Sequence, residues 1–219
     1  MSVGDKETLN VFAFAELKEC LRTCLQTQIK SVSDWHESEP ENMSRSRPGS
    51  DLEVLKDLVL RLHLVNFKLW HVEDRARAMD AGYKAVAECK RDIDALNQVR
   101  NDLMEKVDAC LVALMSPHIP VDAAERYNTE TMGGVLDRLS ILSLKMYHME
   151  EQTRRAEAGP EHVRRCREKL EILAEQHRDL SRSLLELVDE YASGRKRPKV
   201  YYQFKMYNDP DLNPELYRK

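Results

Sequence analysis

His63, Asn66, Trp70, Glu73 and Arg77 follow one another at three- or four-residue steps. At 3.6 residues per turn that spacing puts them on one helical face, shared with Val59, Leu62 and Leu69. Asp57, Arg61, Lys68 and Arg75 fall opposite, on what must be the solvent side. Burying an unpaired carboxylate costs several kcal/mol, so Glu73 on an apolar face calls for an ion pair, a hydrogen bond or a ligand. The bland account is a polar seam: Glu73 pairs with Arg77 one turn on, and Asn66 fixes helix register. The functional account is a pocket for a ligand or cation. Asp74 sits at the boundary of the face, and His71 points nearer solvent.

A second polar stripe, Asp94, Gln98, Asn101, Glu105 and Asp108, runs opposite Leu96, Leu103 and Val107. It has no lysine and alternates amides with acids. It is either a solvated face or the far wall of a pocket facing Glu73. Glu105 and Asp108, three apart, project together as metal-binding carboxylates on bundle helices do. Glu73, Glu105 and Asp108 are therefore the metal candidates, and with Asp74 they are the candidate acid groups. The Glu105–Asp108 pair resembles the second half of the acidic motif in the all-helical nucleotide pyrophosphohydrolases. The upstream pair of glutamates is missing, and His71, Glu73 and Asp74 would have to replace it. A ferritin-like di-iron site is excluded, because neither Glu73 nor Glu105 is followed three residues later by histidine.

A third polar set lies on a helix that is apolar on two sides: Asp137, Arg138, Ser140, Ser143, Lys145, His148 and Glu151. Asn128, Thr129, Glu130 and Thr131 lead into it, followed by Gly133 and Gly134. Such an entry either binds an anion on free backbone N–H groups or is an ordinary N-cap. Arg195, Lys196, Arg197 and Lys199 follow the last helix, where positive charge complements the helix dipole. No phosphate-binding glycine loop or nucleophile elbow is present.

The elements that must position these groups are helices. Apolar periodicity predicts them over about residues 10–37, 54–77, 83–115, 133–158 and 161–193. A polar connection covers 38–50, with Pro40, Pro48 and Gly49. Gly159 followed by Pro160 is a stop-and-restart signal, and Gly194 caps the last helix. Residues 195–219 form an irregular aromatic tail, with Tyr201, Tyr202, Phe204 and Tyr207, laid along the bundle. The expected architecture is all-α: one helical domain over residues 1–219.

Composition agrees. One third of the 219 residues are charged, while Gly and Pro are scarce, a balance that favours helices. The net charge of −4 argues against general nucleic-acid binding. The five cysteines are odd in number and lie in helical patterns, so reduced thiols are expected. Cys20 and Cys24, one turn apart, lack a second pair to complete a metal site. No membrane span or signal peptide is legible, and the expected localisation is cytoplasmic.

Five strings occur in order: Asn66-Phe-Lys-Leu-Trp-His-Val-Glu-Asp74, Asn97-Gln-Val-Arg-Asn-Asp102, Asn128-Thr-Glu-Thr-Met-Gly133, Asp137 to Glu150, and Gln203-Phe-Lys-Met-Tyr-Asn-Asp-Pro210. On these the chain is identified as a member of the bacterial family of domain of unknown function 4254, over roughly residues 35–217. Met132 stands where that family is expected to have proline. The resemblance implies no assigned activity. It does imply that the motif residues are polar, among them Asn97, Arg100, Asn101, Lys205, Asn208 and Asp209, which points to a shared site rather than to packing.

The resulting expectation is a bundle with a polar interior pocket for a small anionic or phosphorylated ligand, with a divalent cation as an optional cofactor. Asn66, Trp70, His71, Arg77, Gln98, Arg100, Asn101, Asn128, Thr129 and Lys205 are the ligand-binding candidates. The rivals are a non-enzymatic interaction protein using the aromatic tail, open to homo-oligomer formation, and a metal-dependent nucleotide pyrophosphohydrolase. The interaction reading predicts that Glu73→Ala destabilises by roughly 3–5 kcal/mol.

Overall fold

Five long helices carry the chain in a computed structural model: α1 (Val3–Glu37), α2 (Asp51–Ala76), α3 (Tyr83–Met115), α4 (Met132–Thr153) and α5 (Pro160–Ala192). A one-turn α6 (Pro214–Tyr217) lies in the tail. The structure describes residues 3–41, 49–206 and 209–217, with side chains from residue 13 onward. Residues 42–48 of the polar connection, Tyr207 and Asn208 lie outside the described residues. Among the described residues there is no strand, and no helix is long and apolar enough to cross a membrane.

Helix ends follow local chemistry. The Ser50 side chain accepts from Glu53 N and starts α2; the Thr131 side chain accepts from Gly134 N and starts α4. Met132 is the first residue of α4. Proline is favoured at that position because its missing N–H has no helical partner there, so methionine leaves the geometry unchanged. At the end of α5, Gly194 has φ 70° and its N–H donates to Tyr191 O, while Arg195 N donates to Glu190 O. That double closure needs a left-handed residue, and glycine supplies it without a Cβ penalty. The expected end of α4 at residue 158 is corrected: the helix stops at Thr153, and a single 3-10 turn spans Ala156–Ala158 before Gly159, whose φ is 86°.

The helices pack as two consecutive pairs, α2 with α3 and α4 with α5, and α1 lies against α2, α4 and α5. The main core is built from Leu17, Leu21 and Leu25, Leu55 and Val59, Val107 and Leu111, Leu136 and Leu139, and Leu184 and Val188. A smaller aromatic cluster, Val32, Trp35, Phe67, Trp70, Leu144 and Tyr147, fills the opposite part of the α1–α2–α4 interface. Polar side chains separate the two, and the candidate site is built there.

Candidate functional site

The centre of the polar belt is Asp137 on α4, whose side chain is only 4% exposed. Its Oδ1 accepts from Arg100 Nε on α3 at 2.8 Å and from Asn66 Nδ2 on α2 at 2.9 Å. Arg100 Nη2 donates to Oδ2, completing a two-pronged ion pair. Asn66 Nδ2 also donates to Ser140 Oγ at 3.0 Å, and Ser140 Oγ lies 2.7 Å from His63 Nδ1. Ser140 Oγ, accepting from Asn66, still has both its proton and a second lone pair to meet His63 Nδ1. Burial pushes His63 down to about 4, against the pull of the Gln28 backbone carbonyl. One hydrogen-bond network thus ties α2, α3 and α4, with the buried His63 Nε2 left without a partner. The sequence placed His63 and Asn66 on the core face but did not name Asp137 as their partner.

Above this network opens a groove of about 390 Å³, lined by Asn66, Trp70, Glu73, Asp74, Arg77, Asn97 and Arg100 with Ile141 and Leu144. The hydrogen bonds to Asp137 use Nε and one terminal nitrogen of Arg100. Arg100 is itself one of the residues lining the groove. One sequence expectation is corrected here. Glu73 and Arg77 do share the wheel face of Asn66, but they lie in the last turn and at the C-cap of α2, where that face is no longer covered. Their 2.8 Å pair is at the surface, with side chains 39% and 68% exposed. His71, expected nearer solvent, is partly exposed and also meets Phe67 edge-on, with ring centroids 4.5 Å apart.

The α3 stripe does not line one wall. Across the groove from Glu73 stand Asn97 and Arg100. Asp94 pairs with Lys90, and Gln98 donates to Asp102 at 2.8 Å. Asn101 is buried. Glu105 accepts from the backbone N–H of Gln203 in the tail at 2.8 Å. Asp108 is buried under the entry to α4 and accepts from Gly133 N at 2.7 Å. Burial raises Asp108 to about 6, against the Thr131 and Gly133 hydrogen bonds. The helix N-terminus expected to hold an external anion therefore holds the protein's own carboxylate. Gly133 permits this approach: a Cβ there would lie 2.6 Å from Met104 O and 2.9 Å from Asp108 Cγ.

Asn128, Thr129 and Glu130 border a separate hollow of about 520 Å³ with α5 and the tail. Lys196 donates to Asn128 Oδ1 at 3.1 Å there, and also pairs with Glu190. Arg197 N donates to Arg126 O, and its guanidinium caps Ala123 O and Val121 O. Lys205 reaches Asn97 O at 3.4 Å. The tail touches the bundle through backbone and basic groups, while Tyr202 and Phe204 are 61% and 80% exposed. The sequence-derived candidates thus divide among a groove (Asn66, Trp70, Glu73, Asp74, Arg77, Arg100), the buried α4 entry (Asp108), the hollow and contacts of the tail (Glu105, Asn128, Thr129, Lys205), and three residues in none of these, His71, Gln98 and Asn101.

Another constellation lies on the far side of Trp70. His36 at the end of α1, His71 on α2 and His148 on α4 bring ring nitrogens within 4.8 Å of one another. Among the described residues this is the group of histidine, cysteine or carboxylate side chains spaced to hold a metal ion; Glu73, Glu105 and Asp108 do not converge. Burial, then its two imidazole neighbours, lowers His71, against Glu39 and Asp74. His36 and His148 are residues the sequence reading did not join to His71. The signal that was present is His36 beside Trp35 at the end of an apolar stripe.

These features define an all-α bundle with a buried polar belt, a polar groove and a histidine cluster. The chain belongs to the family whose model is described as protein of unknown function (DUF4254), matched over residues 56–200, which span α2 to the start of the tail. No curated protein and no solved structure is significantly similar to it.

Proposed function

We propose that the protein binds a small anionic or phosphorylated ligand in the groove between α2, α3 and α4. The observation that carries this is the clamping of Arg100 on Asp137, which fixes a guanidinium at the groove wall with donors to spare. A cation held in place before binding loses little side-chain entropy on meeting an anion. Arg77 at the rim adds a second positive charge, Asn97 adds an amide, and Trp70 offers a flat apolar wall for a ring or sugar face. Glu73 and Asp74 give the same rim carboxylate oxygens, suited to hydroxyl groups or to a cation accompanying the ligand.

Thermal unfolding against inorganic phosphate, sugar phosphates and nucleotides tests the reading, because a ligand that binds the native state raises the midpoint. The wild-type midpoint is expected to rise with at least one of these probes. Arg77→Gln, at an exposed position, is expected to leave the unliganded midpoint in place and to reduce the shift. No shift with any probe, or an equal shift in both proteins, overturns the proposal.

A further inference from the structure

From the geometry of the three histidines we infer a second site, independent of the groove: a mononuclear zinc-type metal centre formed by His36, His71 and His148. Each ring is already held. His36 Nδ1 lies 2.7 Å from Val32 O, a partner that can only accept, so Nδ1 carries the proton and Nε2 the lone pair. His148 Nδ1 lies 2.8 Å from Glu151 Oε2, which assigns its lone pair to Nε2 in the same way. Both Nε2 atoms are buried and have no hydrogen-bond partner. A histidine metal ligand usually has this arrangement, with one nitrogen hydrogen-bonded to a carbonyl or carboxylate and the other offered to the ion.

The ring planes are fixed as well. Tyr147 stacks on His36 at 4.3 Å, Trp70 on His148 at 4.7 Å, and Phe67 meets His71 edge-on at 4.5 Å. A purely aromatic cluster would be stabilised by such stacking, but stacking alone gives no reason for one ring nitrogen of each of three histidines to lie within 4.8 Å of the others. In a tetrahedral site with metal–nitrogen bonds of about 2.0–2.1 Å, ligand nitrogens stand roughly 3.3 Å apart. The present separations, within 4.8 Å, close to that value by small side-chain rotations. Three neutral imidazoles select zinc, cobalt, nickel or copper over magnesium and calcium, which require oxygen ligands. Three protein ligands also leave a fourth position for water or another group. The ion would pin the end of α1 to α2 and α4.

The test uses untagged full-length protein, stripped with a chelator and titrated with cobalt(II), followed by zinc. The expected result is the intense visible ligand-field absorption of tetrahedral cobalt, saturating at one equivalent per chain and bleached by one equivalent of zinc. His71→Gln, at a half-exposed position, should fold and lose the absorption. Glu151→Gln keeps all three ligands and should weaken metal binding about tenfold or more; it keeps the test decisive if His71→Gln fails to fold. His162→Gln, outside the cluster, should bind as wild type does. A cobalt spectrum no stronger than that of the hydrated ion, or binding indifferent to both cluster substitutions, overturns the inference. Neither result bears on the groove, whose probes are phosphates.

Discussion

The indole of Trp70 lies flat on the imidazole of His148, with centroids 4.7 Å apart and planes 6° from parallel. Trp70 also lines the groove that holds Glu73, Asp74, Arg77 and Arg100. One side chain therefore separates a polar groove from a histidine cluster and serves as a wall of both. Stacked aromatic pairs contribute about 0.5–1.5 kcal/mol beyond area burial. Trp70→Leu is expected to cost about 1–2 kcal/mol in urea unfolding and to reduce zinc affinity about tenfold by freeing the His148 ring. Calorimetric titration with zinc checks the second part; unchanged affinity would limit Trp70 to packing.

Two acidic residues on neighbouring helices should respond very unequally to truncation. Asp137→Ala leaves Arg100 half-buried without its carboxylate and Asn66 with Ser140 Oγ alone as acceptor. A loss of about 3 kcal/mol is expected, the low end for a broken buried pair, because Arg100 keeps some solvent contact. Glu73→Ala removes only the exposed pair with Arg77 and should cost about 0–1 kcal/mol. The loss of roughly 3–5 kcal/mol read from the wheel position of Glu73 thus passes to Asp137. Denaturant midpoints of the two variants decide; comparable losses would contradict the assignment.

Adjacent glycines at the start of α4 should differ in sign. A Cβ at position 133 meets Met104 O at 2.6 Å and Asp108 Cγ at 2.9 Å, and neither the carbonyl nor the bonded carboxylate can step aside freely. Gly133→Ala is expected to destabilise by about 1–3 kcal/mol, as overpacking does. At position 134 the nearest atom is Glu130 Cγ at 3.3 Å, on a flexible chain. Gly134→Ala should be neutral or stabilising by up to about 1 kcal/mol through helix propensity. Thermal midpoints of the pair are the check, and equal shifts would count against the close approach of α3 and α4 at Gly133.

Acid sensitivity should be masked in the wild type. Burial holds His63 down at about 4 from an ordinary 6.5, and Asp108 up at about 6 from an ordinary 3.8. For His63 the unfolded chain takes its proton first, so its contribution is complete above about 6.5 and is lost as pH falls toward 4. For Asp108 the native state holds its proton longer, so its contribution is complete below 3.8 and is lost as pH rises through about 6. At 1.36 kcal/mol per unit each is worth about 3 kcal/mol, with opposite sign over nearly the same window. His177, lowered by burial, adds to the His63 side. Asp108→Asn keeps an oxygen for Gly133 N and removes one arm. Its stability should therefore rise with pH between about 4.5 and 7 more steeply than that of wild type. Parallel urea-unfolding curves across that range would refute the opposition.

The sequence by itself determined what periodicity along a single helix can report. It placed His63 and Asn66 on the core face of α2, read five long helices, located the restart at Gly159–Pro160 and the cap at Gly194, and identified the family from ordered polar strings. It could not see which residues on different helices meet, because that depends on the register between helices, which local spacing does not encode. Asp137 was visible as a charge on a helix apolar on two sides, but its pairing with Arg100 and Asn66 exists only once α2, α3 and α4 are packed. Glu73 and Arg77 share the wheel angle of Asn66, yet that face is left uncovered at the end of α2, and coverage rather than angle sets burial. His36 and His148 are more than one hundred positions apart in the chain. Packing of α1 against α2 and α4 alone brings them to His71, and so tertiary structure decided where the histidine cluster would be.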